Sequence, residues 1–130
     1  MTIEVVQIPC LNDNYGYLIH DSGSGLTATI DTPEVAPINA ALAQRGWRLT
    51  HIFNTHHHFD HAGGNEALKE QWGCTVVGAD NDAARIPGID QRVVDGDQFA
   101  FGDVEVTVLE VPGHTSGHIA FYLASEDMVF

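Results

Sequence analysis

The chain has 130 residues, the size of a single domain, and 44% of them are apolar, which is typical of a globular protein with a buried core. Five basic residues against 18 acidic residues give a formal net charge of −13. This balance argues against the basic surface that nucleic acids and anionic membranes bind, so we expect neither kind of partner.

The sequence also lacks the usual signals for a membrane or secreted protein. No run approaches the roughly 18 apolar residues of a membrane span. The opening MTIEVVQIPC has neither a basic segment nor a long apolar one, so we expect no signal peptide and a cytoplasmic location. Cys10 and Cys74 have no CxxC spacing, which favours buried free thiols over a disulfide.

The first part of the chain alternates strand-like and helix-like segments. Segments rich in β-branched and apolar residues predict strands at Ile3–Ile8, Tyr15–His20, Leu26–Ile30, Leu49–Asn54 and Thr75–Val77. Polar and glycine residues at Asp21–Gly25 predict a hairpin turn. Helices are predicted at Val35–Arg45, where apolar residues recur at helical spacing, and at Gly64–Trp72, and each is followed by a glycine.

The second part reads mainly as strands. They are predicted at Gln91–Asp95, Gln98–Phe101, Val104–Val111 and His118–Leu123, with a loop or short helical turn over Asn81–Asp90. We expect the first three to be consecutive antiparallel strands, with Asp95, Asp97 and Asp103 as turn residues. Phe99 and Phe101 share one face of their strand, which favours core packing. The whole pattern predicts a mixed sheet with helices packed on it.

The most informative segment is Thr55–Asn65, THHHFDHAGGN, directly after a predicted strand. Ligands often bind at the carboxyl ends of strands in α/β proteins. In a locally extended backbone, His56 and His58 point the same way and can bind one ion. Asp60 and His61 add a carboxylate and another imidazole. The sequence therefore predicts a metal site here.

A further ligand is needed, because a catalytic zinc usually has three protein ligands and a water. His114 is the candidate, in the glycine-flanked loop of VPGHTSGHI. His57 is expected to point elsewhere, and His118 is expected to support the site rather than bind the ion. Asp31, at the end of a strand, either only forms a turn or orients a ligating histidine.

His20 and His51 are isolated histidines, and we expect them to be structural or on the surface. Ser116 lies beside His114, but nothing around it suggests a base and an orienting group, so a serine nucleophile is not expected.

The segment THHHFDHAGG, followed further along by PGHTSGH, resembles the metallo-β-lactamase superfamily, and within it the glyoxalase II (hydroxyacylglutathione hydrolase) family. The segments LNDNYGYLIHD and ATIDTPE are similar to the opening of that family. The resemblance implies an α+β fold, the αββα sandwich. Residues 1–130 would be its N-terminal half, a mixed sheet with two main helices, truncated at the C-terminal end.

The resemblance also implies a set of metal ligands. His56, His58 and His114 would bind one divalent ion, and Asp60 and His61 a second. Zinc is the expected metal, with iron or manganese as alternatives. A bridging aspartate from a later Gly-Asp motif and another histidine complete the family's site, but nothing after His118 matches them. The chain ends inside a predicted strand, at Met128–Phe130. We therefore expect one tightly bound ion or fewer in this segment.

The activity implied is hydrolysis of a glutathione thioester, S-D-lactoylglutathione, to D-lactate and glutathione, the step that completes methylglyoxal detoxification. A metal-bound hydroxide would attack, and Asp60 would bind metal and orient that hydroxide. The segment alone is expected to be weakly active or inactive. Three alternatives stay open: a persulfide dioxygenase-like enzyme of the same superfamily, another hydrolase such as a lactonase, and a non-catalytic metal-binding half-domain.

Overall fold

The described residues form two stacked β-sheets, with two α-helices on the outer face of the larger sheet. The computed structural model describes residues 3–10, 14–32, 34–55, 64–86, 88–110, 119–126 and 128–130. This arrangement agrees with the α+β class expected from the sequence.

The larger sheet has six described strands, adjacent in the order in which they occur in the chain. They are β1 (Ile3–Cys10), β2 (Asn14–Asp21), β3 (Leu26–Ile30), β4 (His51–Phe53), β5 (Thr75–Ala79) and β6 (Gln91–Val93). The pairs β1–β2 and β2–β3 are antiparallel, whereas β3, β4, β5 and β6 run parallel to one another. The carboxyl ends of β3, β4 and β5 therefore lie along one edge of the sheet.

The smaller sheet is antiparallel, with described strands in the order β10-β9-β8-β7. The strands are β7 (Gln98–Phe101), β8 (Val104–Glu110), β9 (Ile119–Leu123) and β10 (Met128–Val129). One prediction is wrong: Gln91–Val93 does not begin this antiparallel run but pairs in parallel with β5. The backbone changes sheets just after it, since Gly96 and Asp97 hydrogen-bond to Val108 of β8.

Two α-helices have the bounds expected from their glycine signals. Helix α1 spans Val35–Arg45 and α2 spans Asn65–Trp72. Gly46 and Gly73 end them with φ of 70° and 69°, a left-handed conformation that glycine adopts at little cost. Two 3₁₀ turns occur at Asp80–Arg85 and Ala124–Glu126. None of the described helices is long and apolar enough to cross a membrane.

The core between the sheets centres on Phe53. Its ring lies 5.4 Å from Phe99, 5.5 Å from Phe101 and 5.2 Å from Phe121, measured between centroids. Phe101 and Phe121 are fully buried and Phe99 is half-buried, so the expected core role of Phe99 and Phe101 is confirmed. Edge-to-face and offset aromatic pairs of this kind stabilise a core beyond the area they bury.

A second core lies between the larger sheet and the helices. Ile38 and Leu42 of α1 and Leu68 of α2 pack there with sheet residues such as Ile52 and Val76. Cys74 is a buried free thiol, as expected, and burial raises the pKa of this thiol. The side chain of Cys10 lies outside the described residues.

A buried carboxylate joins two hairpins at the opposite end of the sandwich from the carboxyl ends of β3 and β4. Asp21 accepts hydrogen bonds from the Ser24 hydroxyl at 2.7 Å and from the Asp103 N–H at 3.0 Å. Gly102 lies so close to Asp21 and Ser24 that a Cβ there would overlap both side chains. The β2–β3 hairpin and the β7–β8 hairpin are thereby held against each other.

The expected turn residues also have defined partners. Asp95 and Asp103 lie in turns. Asp95 accepts a hydrogen bond from the Glu110 N–H at 2.7 Å, and Asp97 accepts one from the Val94 N–H at 2.8 Å.

The two isolated histidines have structural surroundings. His20 stacks on Trp47 at 4.2 Å between ring centroids, and its Nδ1 lies 2.7 Å from the Thr27 hydroxyl. His51 points into the core between the sheets, where its ring meets Phe101 edge-on at 5.4 Å. Burial lowers the pKa of His51 from its ordinary value of 6.5.

The half-buried ring of His51 predicts a pH dependence of stability. Since the unfolded chain binds a proton at His51 more readily than the folded chain, the free energy of unfolding falls as the pH drops below 6.5. His51→Gln removes this contribution, so the variant should lose less stability between about pH 8 and about pH 5.5. Urea unfolding of both proteins at the two pH values measures the difference. Equal losses in both proteins would contradict the assignment.

Candidate functional site

The carboxyl ends of β3 and β4 carry the described polar residues next to the histidine-rich segment. Asp31 follows β3, and Asn54 and Thr55 follow β4. The predicted site residues themselves lie outside the described residues: His56, His57, His58, Asp60, His61, His114, Ser116 and His118. The structure therefore describes what holds the ends of their segments, and their metal-binding roles stay predictions.

Asp31 anchors the start of the histidine-rich segment. Its carboxylate is only 6% exposed. Oδ1 accepts a hydrogen bond from the Thr55 N–H at 2.7 Å, and Oδ2 accepts one from the Thr55 hydroxyl at 2.7 Å. Both carboxylate oxygens thus bind the residue that immediately precedes His56.

The backbone at Asp31 is unusual. Its φ is 62°, the only positive value among the described non-glycine residues. Aspartate tolerates this left-handed conformation better than most residues, but it still costs energy. The conformation is held by a hydrogen bond from the Asp31 N–H to the Phe53 carbonyl and by one from the Thr29 hydroxyl to the Asp31 carbonyl, each 2.8 Å long. Asp31 therefore both forms the turn and aims its carboxylate at Thr55.

The end of the same segment is held by three buried polar side chains, which we name the Thr32–Asn65–Asn54 chain. The Thr32 hydroxyl donates a hydrogen bond to Asn65 Oδ1 at 2.7 Å, and Asn65 Nδ2 donates to Asn54 Oδ1. The Gly64 N–H donates to the Thr32 carbonyl at 2.9 Å. Asn54 and Asn65 lie on either side of residues 56–63, so their bond joins the two ends of the segment.

Gly64 is needed for the close approach of α2 to the residues after β3. A Cβ at this position would lie 2.9 Å from Val35 Cγ2 and 3.1 Å from the Thr32 carbonyl oxygen. Both distances are shorter than ordinary van der Waals contact. A larger residue would push the end of the histidine-rich segment away from Thr32.

The second predicted segment ends beside the first. The Ile119 N–H, at the start of β9, donates a hydrogen bond to the Thr55 carbonyl at 2.8 Å. Thr55 precedes His56, and Ile119 follows His118. This hydrogen bond brings the ends of both histidine-containing segments together.

The chemistry of the predicted donors suits a divalent transition metal. Histidine imidazoles and a carboxylate are the side chains that zinc, iron and manganese sites use. Within the parts of the chain that the structure describes, no three His, Cys, Asp or Glu side chains form another such group.

The fold and motifs agree with a family comparison. The family model described as the metallo-beta-lactamase superfamily matches residues 12–130. The chain belongs to the metallo-β-lactamase superfamily. The αββα fold class expected from the sequence is thereby confirmed.

Two curated relatives of this chain share the name hydroxyacylglutathione hydrolase. It is 53% identical over 121 residues to the hydroxyacylglutathione hydrolase of Rhizobium johnstonii, an alignment that covers 93% of this chain and 47% of the relative. It is 52% identical over all its 130 residues to the hydroxyacylglutathione hydrolase of Cereibacter sphaeroides and covers 51% of that protein. The chain spans about half the length of these relatives and resembles their N-terminal portion.

A solved structure shows the same fold. The crystal structure of ETHE1 from Myxococcus xanthus superposes with a TM-score of 0.81 at 33% sequence identity. The match covers 100% of this chain and 56% of that one.

The sequence did not identify the residues that support the site, apart from Asp31. The sequence offered only one indication of them, which is a polar residue placed next to a predicted strand or at the start of a predicted helix. The residues in such positions are Thr32, Asn54, Thr55 and Asn65. Their partners could not be read from the sequence, because Thr32 and Asn65 are 33 positions apart.

Replacing the Asp31 carboxylate should destabilise this edge of the sheet. Asp31→Asn puts an amide N–H₂ against one of the two Thr55 donors, so we expect a loss of about 1–3 kcal/mol in the free energy of unfolding. Asp80→Asn is the control, because Asp80 is half-exposed and lies 3.9 Å from Arg92 at the surface. Denaturant unfolding measures both. A similar small loss in the two variants would show that the Asp31 bonds contribute little.

Proposed function

We propose that this chain is the N-terminal, metal-binding part of a glyoxalase II-type hydrolase acting on glutathione thioesters. The reaction would convert S-D-lactoylglutathione and water to D-lactate and glutathione. The observation that carries the proposal is the 53% identity to a relative named hydroxyacylglutathione hydrolase, across 93% of this chain. The proposed location is cytoplasmic, and neither nucleic acid nor membrane is a proposed partner.

The proposed metal ligands are those expected from the motifs. His56, His58 and His114 would hold one divalent ion, with zinc as the first choice and iron or manganese as alternatives. Asp60 and His61 would contribute to a second ion. The hydrogen bond from Ile119 to Thr55 supports this set, because it brings the end of the segment containing His114 next to the start of the segment containing His56.

When bound, the ions would supply a hydroxide near neutral pH and stabilise negative charge on the thioester oxygen. Asp60 would bind metal and orient the attacking hydroxide. Asp31 would keep His56 in position through Thr55, since its carboxylate binds both the N–H and the hydroxyl of that residue. His118 would support the site from the end of the second segment.

The isolated segment is proposed to be weakly active or inactive, with one tightly bound ion or fewer. The family resemblance calls for a bridging aspartate in a Gly-Asp motif and for another histidine. The residues after His118 contain neither a glycine nor a histidine.

A chimera tests the proposed activity. This chain would be joined at Phe130 to the remaining half of the Rhizobium johnstonii relative and loaded with zinc. We expect the chimera to hydrolyse S-D-lactoylglutathione, the 130-residue chain to do so weakly or not at all, and His58→Ala to abolish the chimera's activity. Rapid turnover by the 130-residue chain would contradict the proposed dependence on a second half. An inactive but folded and metal-loaded chimera would contradict the hydrolase proposal.

The same preparations separate the alternatives. Oxygen uptake with glutathione persulfide, in place of thioester hydrolysis, would favour the dioxygenase-like alternative. Metal binding without either activity would favour the non-catalytic half-domain. Relatives at 52–53% identity carry the hydrolase name, which supports the hydrolase over both.

Metal affinity tests the ligand assignment directly. We expect His114→Ala to weaken zinc binding to the chain by at least about tenfold, because it removes one of three proposed imidazole ligands. His57→Ala is the matched control within the histidine run and should change the affinity little. Competition with a chromophoric chelator measures both. Equal losses in the two variants would refute the assignment.

A further inference from the structure

The Thr32–Asn65–Asn54 chain joins the two ends of the histidine-rich segment through side-chain hydrogen bonds. Asn54 and Asn65 are 11 positions apart, and their amide groups bond directly to each other. Thr32, which follows β3, bonds to Asn65 from the other side. The ends of residues 56–63 are thus tied to each other and to the neighbouring strand.

The hydrogen bonds of the Thr32–Asn65–Asn54 chain all run in the same direction from donor to acceptor. The Gly64 N–H also lies 3.2 Å from the Thr32 hydroxyl oxygen and donates to it, the Thr32 hydroxyl donates to Asn65, and the Asn65 amide donates to Asn54. Hydrogen bonds in such a series polarise one another. Thr32, Asn54 and Asn65 are all 0% exposed. Loss of one member therefore breaks a hydrogen bond between buried polar groups, which is costly.

Ordinary helix capping does not account for these side chains. Asn65 is the first residue of α2, and the preceding Gly64 makes no side-chain capping bond. The Asn65 amide points instead to Thr32 and Asn54, at the carboxyl ends of two parallel strands. Leu68, one turn later, already packs α2 into the core. The polar chain thus fixes the first residue of α2, at the end of the histidine-rich segment, against the two strand ends.

We propose that the Thr32–Asn65–Asn54 chain is a positioning device that sets the distance between the two ends of residues 56–63 before any ion binds. A segment whose ends are already fixed loses less conformational entropy when its side chains converge on an ion. Thr32, Asn54 and Asn65 therefore raise metal affinity without touching the metal. This inference rests on the proposed function only in assigning the metal to this segment.

The test compares two replacements of Thr32 in the full 130-residue chain. Thr32→Val keeps the shape but removes the hydroxyl, and Thr32→Ser keeps the hydroxyl. We expect Thr32→Val to weaken zinc binding about tenfold, as replacements of groups that support metal ligands commonly do, and Thr32→Ser to stay within about threefold of the parent. Metal-free hydrogen exchange of residues 56–63 should be faster in Thr32→Val and unchanged in Thr32→Ser.

Asn39→Ala is the matched control for a general loss of stability. Asn39 on α1 bonds to Gln71 at 2.8 Å and to Trp72 at 3.0 Å, so its removal also breaks side-chain hydrogen bonds between elements. It lies outside the proposed chain, so it should lower the unfolding temperature without changing zinc affinity or the exchange of residues 56–63. Asn65→Ser, whose side chain is too short to bridge Thr32 and Asn54, replaces Thr32→Val if that variant does not fold.

The outcomes separate the two proposals. If the parent chain binds zinc and Thr32→Val or Asn65→Ser binds it equally well, the positioning role is overturned while the metal site stands. Lower stability with unchanged affinity and exchange would likewise overturn it, leaving only a structural role. If the parent chain and the chimera both fail to bind zinc, the proposed metal site fails, and the positioning role fails with it.

Discussion

The buried carboxylate of Asp31 is the constraint on which this edge of the protein depends. A carboxylate that leaves water must be compensated by hydrogen bonds, and here the compensation comes from the N–H and the hydroxyl of Thr55. Thr55 in turn accepts the N–H of Ile119 from the smaller sheet. One acidic side chain therefore fixes the end of β4 and, through it, the position at which β9 begins.

The elements that the sequence predicted well are those with local signals. Helix α1 and the strands β3 and β7 have the predicted bounds, because an apolar pattern and a flanking turn or glycine mark each of them. The strand β6 shows what local signals do not predict, which is the partner of a strand in the sheet. Its alternation of residues predicts a strand but contains nothing about its neighbour, and Gln91–Val93 pairs with β5 rather than with the strand that follows.

In the candidate site, too, some residues could be predicted from the sequence and others could not. Its metal-seeking residues cluster in the sequence, so His56, His58, Asp60, His61 and His114 could be proposed from composition and spacing. The groups that join the ends of the histidine-rich segment could not be proposed in this way, because Thr32, Asn54 and Asn65 come together only when β3, β4 and the start of α2 meet. Asp31 does form a turn, since its left-handed backbone directs its carboxylate to Thr55, and its role in orienting a ligating histidine stays a prediction.

The bond between Thr55 and Ile119 has a consequence for the order of folding. The six described strands of the larger sheet lie within residues 3–93, so they can assemble during synthesis before β9 has left the ribosome. Contacts between residues distant in the chain form late, because closing a long loop costs entropy before any contact repays it. We therefore expect the edge that carries the candidate site to be completed after the larger sheet has formed, when the smaller sheet docks.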